Sequence, residues 1–190
     1  MALTIANKIT VGRILIVPFF LSAILYYAPE KDHLRFIAFG LFMVAVISDV
    51  IDGYLARVRK EKTRTGAILD PLADKLLLIS AFIVLYIVGV KFPHYRFPLW
   101  LVVTVISRDV ILLIGTLLIS IAHGMISIEA TPWGKASTFF QVLCVMAMLL
   151  QWPYTWFLWY ITVFFAVVSC LDYIRIGSKI INTPEGEIKI

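Results

Sequence analysis

Four aspartates fall within 26 residues of an otherwise apolar chain: Asp49 and Asp52 in "SDVIDGYLAR", then Asp70 and Asp74 in "GAILDPLADK". Helical spacing sorts them onto two faces. Asp49, Asp52, Gly53 and Ala56 stand at i, i+3, i+4 and i+7, and Gly66, Asp70 and Asp74 at i, i+4 and i+8. A short loop joins the two helices, so they are expected as antiparallel neighbours whose polar faces meet. Carboxylates with no His or Cys beside them are hard oxygen donors, suited to Mg²⁺, Mn²⁺ or Ca²⁺ over zinc. At about 2.5–3.5 kcal/mol for each Asp at a helix centre, four would cost on the order of 10 kcal/mol, and less at the membrane interface. Arg57 and Lys75 offset part of that charge, and two bound divalent ions would balance it. Gly53, Ala56 and Gly66 fit close packing between membrane helices equally well when taken alone. Beside four spaced acids they also leave room for a flat ligand group, with Arg57 one turn on from Gly53 to hold a diphosphate.

The elements that must carry these residues are read from composition. Of 190 residues, 61% are hydrophobic and 15% charged, and the mean hydropathy is +0.94. That balance excludes an ordinary soluble domain and predicts an all-α integral membrane protein. About 20 apolar residues cross a hydrocarbon core about 30 Å thick. The apolar windows then give six transmembrane helices, near 9–27, 34–58, 67–90, 97–122, 135–152 and 154–175, in a single membrane domain over 1–190. Pro, Gly and charged residues in "YAPEKDH", "KFPHYRFP", "HGMISIEATPWG" and "QWPY" separate them. The basic cluster Arg57, Arg59, Lys60, Lys62 and Arg64 assigns the second loop to the cytoplasm, and both termini with it. The net charge of +5 is read as cytoplasmic loop charge and not as a nucleic-acid surface. Cys144 and Cys170 lie in apolar runs without metal or disulfide spacing. The three histidines fall in or beside loops, and the Trp-rich "QWPYTWFLWY" is an interfacial belt. "MALTIANKITVGR" precedes an apolar run that no small-residue cleavage site follows, so the first span is expected to stay.

Read as Asp49-x2-Asp52-Gly53-x2-Ala56-Arg57-x8-Gly66-x3-Asp70-x3-Asp74, the acidic segment resembles the signature of the CDP-alcohol phosphotransferases at every fixed position. The resemblance implies six transmembrane helices with the active site near the cytoplasmic face. It implies that Asp49, Asp52, Asp70 and Asp74 hold two divalent cations, Mg²⁺ or Mn²⁺, against the diphosphate of CDP-diacylglycerol. Asp52, Gly53, Ala56, Arg57 and Gly66 would bind the CDP-lipid, and Asp74 would double as general base. A carboxylate beside two dications has its pKa pushed down, so the metals must also acidify the attacking alcohol. With no Ser, Cys or His nucleophile in the segment, direct attack by that alcohol is favoured over a covalent intermediate. A homodimer is a further implication, and a bacterial inner membrane is the expected home of a short chain without a targeting extension.

The acceptor is read from cations on the inner half of the chain. Arg13, Arg108, Lys135 and Arg175 suit a phosphorylated alcohol. Arg108-Asp109 in "VISRDVILL" has a structural alternative, a self-neutralising pair. Adjacent residues do not face each other on a helix, so a ligand role for Arg108 is expected instead. Asn7, Thr10 and Arg13 in "NKITVGR", and Gly134, Lys135, Thr138 and Gln141 in "GKASTFFQ", resemble elements of the family members that join CDP-diacylglycerol to sn-glycerol 3-phosphate. Arg108-Asp109 is closer to members that form cardiolipin from phosphatidylglycerol. Glycerol 3-phosphate is therefore the expected acceptor and phosphatidylglycerol the alternative. A cation transporter also buries acids, but would spread them through the depth of the bundle.

Overall fold

A computed structural model describes the backbone at residues 5–59, 66–92, 95–122 and 131–182, and the side chains at 12–51, 75–92, 95–116 and 131–178. Among the described residues the fold is all-helical. Six α-helices follow in chain order: α1 (Ile5–Leu25), α2 (His33–Arg59), α3 (Gly66–Val88), α4 (Leu99–Ala122), α5 (Pro132–Leu149) and α6 (Thr155–Asn182). Each apolar window of the sequence falls on one of them, with ends displaced where capping chemistry intervenes. Thus α5 begins at Pro132 rather than near 135. Thr131 Oγ1 accepts the Gly134 N–H at 3.1 Å as an N-cap, and Pro132 occupies the first helical position, where no N–H is needed. At its other end Gln151 takes a left-handed φ of 54°. Trp152 N–H donates to Ala147 O at 2.9 Å and Gln151 N–H to Met148 O at 3.1 Å, a Schellman closure with Gln where Gly is usual, followed by Pro153.

The chain divides into two compact units, residues 1–98 with 145–155, and 99–144 with 156–190. In the first, α1 packs on both α2 and α3. Phe20 meets Phe42 with ring centroids 5.8 Å apart, and Arg13 meets Asp49. Seven residues back along α1 thus match seven forward along α2, so the two helices are antiparallel. Phe20, Ile24, Phe42, Leu77, Leu78, Phe82 and Leu85 fill the core. Ties at the far end close this unit. Arg35 grips the Asp32 carboxylate through two 2.8 Å bonds and donates to Leu149 O at 3.2 Å, while Lys91 donates to Tyr27 O at 3.3 Å.

In the second unit α4 and α6 run parallel, because Trp100 lies against Tyr160, Arg108 against Ser169 and Gly115 against Tyr173 in step. α5 lies on α6 through a 4.6 Å stack of Phe140 on Phe165 and a hydrogen bond from Thr162 Oγ1 to Phe140 O at 3.2 Å.

The outward faces remain apolar: Phe19, Phe36, Val44 and Val50 in the first unit, and Val103, Ile114, Phe164 and Ile174 in the second, are exposed. Such faces suit hydrocarbon, where helices satisfy their own backbone groups. Among the described residues three helices have apolar stretches long enough to cross a membrane, His33–Ile51, Leu99–Thr116 and Thr155–Ser178, with a shorter one at Gly12–Leu25. These are the features of an integral membrane protein.

The close approach of α4 to α6 requires a missing side chain. A Cβ on Gly115 would stand 2.8 Å from Tyr173 Cε1. Gly115→Ala is therefore expected to destabilise the protein by about 1–3 kcal/mol through overpacking, read as a lower midpoint of thermal denaturation in detergent.

Candidate active site

The acidic motif occupies the helices its spacing requires. Asp49, Asp52, Gly53, Ala56 and Arg57 lie in the C-terminal part of α2, and Gly66, Asp70 and Asp74 in the N-terminal part of α3. The two acid-bearing segments are thus consecutive in the chain, separated by residues 60–65. Of the four acids, Asp49 is the one whose side chain is described. The side chains of Asp52, Gly53, Ala56, Arg57, Gly66, Asp70 and Asp74 lie outside the described residues, as do those of Asn7 and Thr10.

Asp49 is held from α1. Arg13 Nη1 stands 2.6 Å from Asp49 Oδ1, with the arginine side chain 1% exposed and the aspartate 42%. The pair has a direction: the cation is sealed among the helices and the carboxylate opens outward. A carboxylate has two oxygens and about four lone-pair sites, and this ion pair engages Oδ1, so Asp49 retains donor capacity suited to a hard cation. The Asp49 carboxylate is thus chemically compatible with the divalent ions that the motif implies. Among the described residues Asp49 meets Arg13, brought in by α1, while the Arg57 side chain, expected as a counter-charge with Lys75, lies outside the described residues.

The second unit contains a buried polar cluster built on α4, α5 and α6. Arg108 Nη1 lies 2.6 Å from Asp109 Oδ1. Its Nη2 donates to Ser169 Oγ at 2.6 Å and to Gly134 O at 3.4 Å. Both members of the ion pair are buried. This corrects the expectation that adjacent residues on a helix would not pair. The rule concerns Cβ directions, and the long arginine side chain curls its guanidinium back to the neighbouring carboxylate. Gln141 and Ser137 are fully buried on the face of α5 that Gly134 begins, and neither side chain has a hydrogen-bond partner among the described residues. Thr138 is half-buried, while Lys135 and Arg175 are exposed and accessible as cations.

Ser169 and Ser137 were missed by sequence reasoning. Ser137 carried a legible signal, since Gly134, Ser137 and Gln141 are spaced i, i+3, i+7. Ser169 carried none, because its partner Arg108 is 61 residues away.

An all-helical membrane protein with paired acids on two consecutive helices is the class that fold and motif define. A family model, CDP-alcohol phosphatidyltransferase, matches residues 3–168, and the chain belongs to that family. Among curated relatives, a Bacillus subtilis protein named "CDP-diacylglycerol--glycerol-3-phosphate 3-phosphatidyltransferase" is 34% identical over 186 residues, covering 88% of this chain and 91% of its own. A Haemophilus influenzae protein of the same name is 30% identical over 176 residues, covering 89% and 90%. A Mycobacterium bovis protein named "Putative cardiolipin synthase" is 32% identical over 137 residues, covering 72% of this chain and 60% of its own.

The buried pair on α4 makes a stability prediction. Arg108→Leu strands the Asp109 carboxylate and should cost about 3–5 kcal/mol. The double replacement with Asp109→Leu should recover most of that loss, as thermal denaturation of both variants in detergent would show.

Proposed function

We propose that the protein transfers a phosphatidyl group from CDP-diacylglycerol to sn-glycerol 3-phosphate, releasing CMP and forming phosphatidylglycerophosphate. The observation that carries this reading is the complete acidic signature on α2 and α3 in a chain that aligns over most of its length with relatives named for that activity. The full arrangement is one membrane domain over residues 1–190 with six spans, both termini cytoplasmic and the active site near that face. A bacterial inner membrane is its setting, membrane lipids its surroundings and a homodimer its assembly.

Within that domain Asp49, Asp52, Asp70 and Asp74 supply the ligands of two divalent ions, Mg²⁺ or Mn²⁺. When bound, these ions offset negative charge on the attacking and leaving oxygens of the displacement. Gly53, Ala56 and Gly66 leave space for the cytidine, with Asp52 beside it, and Arg57 meets the phosphates. Lys135 and Arg175 attract the acceptor's phosphate, and Asn7, Thr10, Thr138 and Gln141 are accessory to its recognition. Asp74 takes the proton from the acceptor hydroxyl as its oxygen bonds to the phosphatidyl phosphorus. The phosphorus–oxygen bond to CMP breaks, and the electron pair leaves on CMP.

A second reading has a specific observation behind it. The Arg108–Asp109 pair and the relative named as a putative cardiolipin synthase favour phosphatidylglycerol as acceptor, with the same donor and the same acids.

Purified protein given CDP-diacylglycerol and Mg²⁺ separates the two. CMP release that requires glycerol 3-phosphate and yields phosphatidylglycerophosphate is expected; dependence on phosphatidylglycerol, with cardiolipin as product, would overturn the acceptor and keep the chemistry. In the same assay Asp70→Asn should lower turnover more than about a hundredfold in folded protein. Normal turnover would remove Asp70 from the mechanism.

A further inference from the structure

Of the four cations suited by type to an acceptor phosphate, Arg13 and Arg108 are buried and each meets a carboxylate at 2.6 Å, but Asp109 is buried with its arginine whereas Asp49 is presented. Lys135 and Arg175 are exposed. The Arg13 side chain is 1% exposed, and its guanidinium is engaged at 2.6 Å by the carboxylate of Asp49. A phosphate arriving from water would have to displace that carboxylate and open the packing around the arginine. The direction of the pair points the same way. A phosphate-binding arginine presents its fork to the ligand, whereas here the fork is inside and the aspartate is presented, 42% exposed.

We infer that Arg13 is the positioning residue of Asp49 and not a ligand of the acceptor. The inference rests on the metal-dependent reading above, in which Asp49 is one of the cation's ligands. The register that delivers Arg13 is set by apolar packing. Phe20 of α1 meets Phe42 of α2 seven residues along each helix, about 10 Å away at a rise of about 1.5 Å per residue. A guanidinium at that point fixes the orientation of the carboxylate through charge-assisted contact. It also fixes the rotation of α2 at the start of its acidic face. Groups that orient a ligating carboxylate are worth about ten- to a hundredfold in metal affinity. The sign is diagnostic. Removing a positive charge from beside a cation site would, by electrostatics alone, strengthen cation binding. Weaker binding after its removal reports lost orientation.

The test uses the purified full chain in detergent, with free Mn²⁺ followed by electron paramagnetic resonance and the Michaelis constant for glycerol 3-phosphate measured at saturating Mn²⁺. Arg13→Gln should weaken Mn²⁺ binding by about ten- to a hundredfold and leave that constant within about twofold. Arg13→Lys keeps the charge without the planar fork; it should show a smaller loss of the same kind, and it serves if the Gln variant does not fold. In an Asp49→Asn background, Arg13→Gln should cause a clearly smaller loss of Mn²⁺ binding than in the wild type, because its effect on Asp49 runs through that carboxylate. Unchanged Mn²⁺ binding in either single variant, with the glycerol 3-phosphate constant raised about tenfold or more, would overturn the inference and return Arg13 to the acceptor. Failure of the wild-type chain to bind Mn²⁺ would overturn the metal reading itself, and this inference with it.

Discussion

A guanidinium sealed inside an apolar bundle has to be met by an anion, and Arg13 meets Asp49 at 2.6 Å while almost wholly buried. Desolvating the guanidinium costs several kcal/mol, and only close, well-oriented pairing offsets it. That requirement ties sequence to fold. Asp49 sits just past the middle of α2 and Arg13 in the middle of α1, so the pair is satisfied only when the antiparallel register set by Phe20 and Phe42 is in place. An acid-bearing helix is thereby held in one orientation by a neighbour that carries none of the four acids. The second unit meets the same requirement locally. There Arg108 is satisfied by Asp109, Ser169 and Gly134, one partner from each of α4, α6 and α5.

The two pairs differ in what they leave available. In the first, the carboxylate is presented and the cation consumed, which suits a helix that contributes anionic oxygen to a cation. In the second, both charges are buried, and the unsatisfied capacity lies instead in Gln141 and Ser137, whose side chains have no partner among the described residues. Buried polar groups are almost always hydrogen-bonded, which sets this face of α5 apart from the satisfied Arg108 cluster. Lys135, one residue beyond Gly134 in the same helix, is exposed.

The helical class was legible in composition, and among the described residues a helix falls on each apolar window, because an apolar helix needs no alternation that a window would blur. Their ends were less legible. Hydropathy gives no weight to Thr131 or Pro132, yet these two start α5 through an N-cap and a preset φ. The positions of the acids on α2 and α3 followed from i, i+3 and i+4 spacing alone. Their partners did not. Arg13 and Asp49 were each singled out by residue type, but the pairing depends on how α1 meets α2, which no local pattern encodes. Arg108 shows the opposite failure: a local rule about adjacent residues was applied to a side chain long enough to escape it. Ser169 could be found only from the fold.

In the proposed reaction the acids of α2 and α3 form one centre for divalent ions. The most direct test is anomalous diffraction at the manganese edge from crystals of the full chain grown with Mn²⁺. Two anomalous peaks bounded by the carboxylates of Asp49, Asp52, Asp70 and Asp74 are the expected result. Ordered carboxylates with no anomalous density between them, or manganese bound only elsewhere on the chain, would contradict the account.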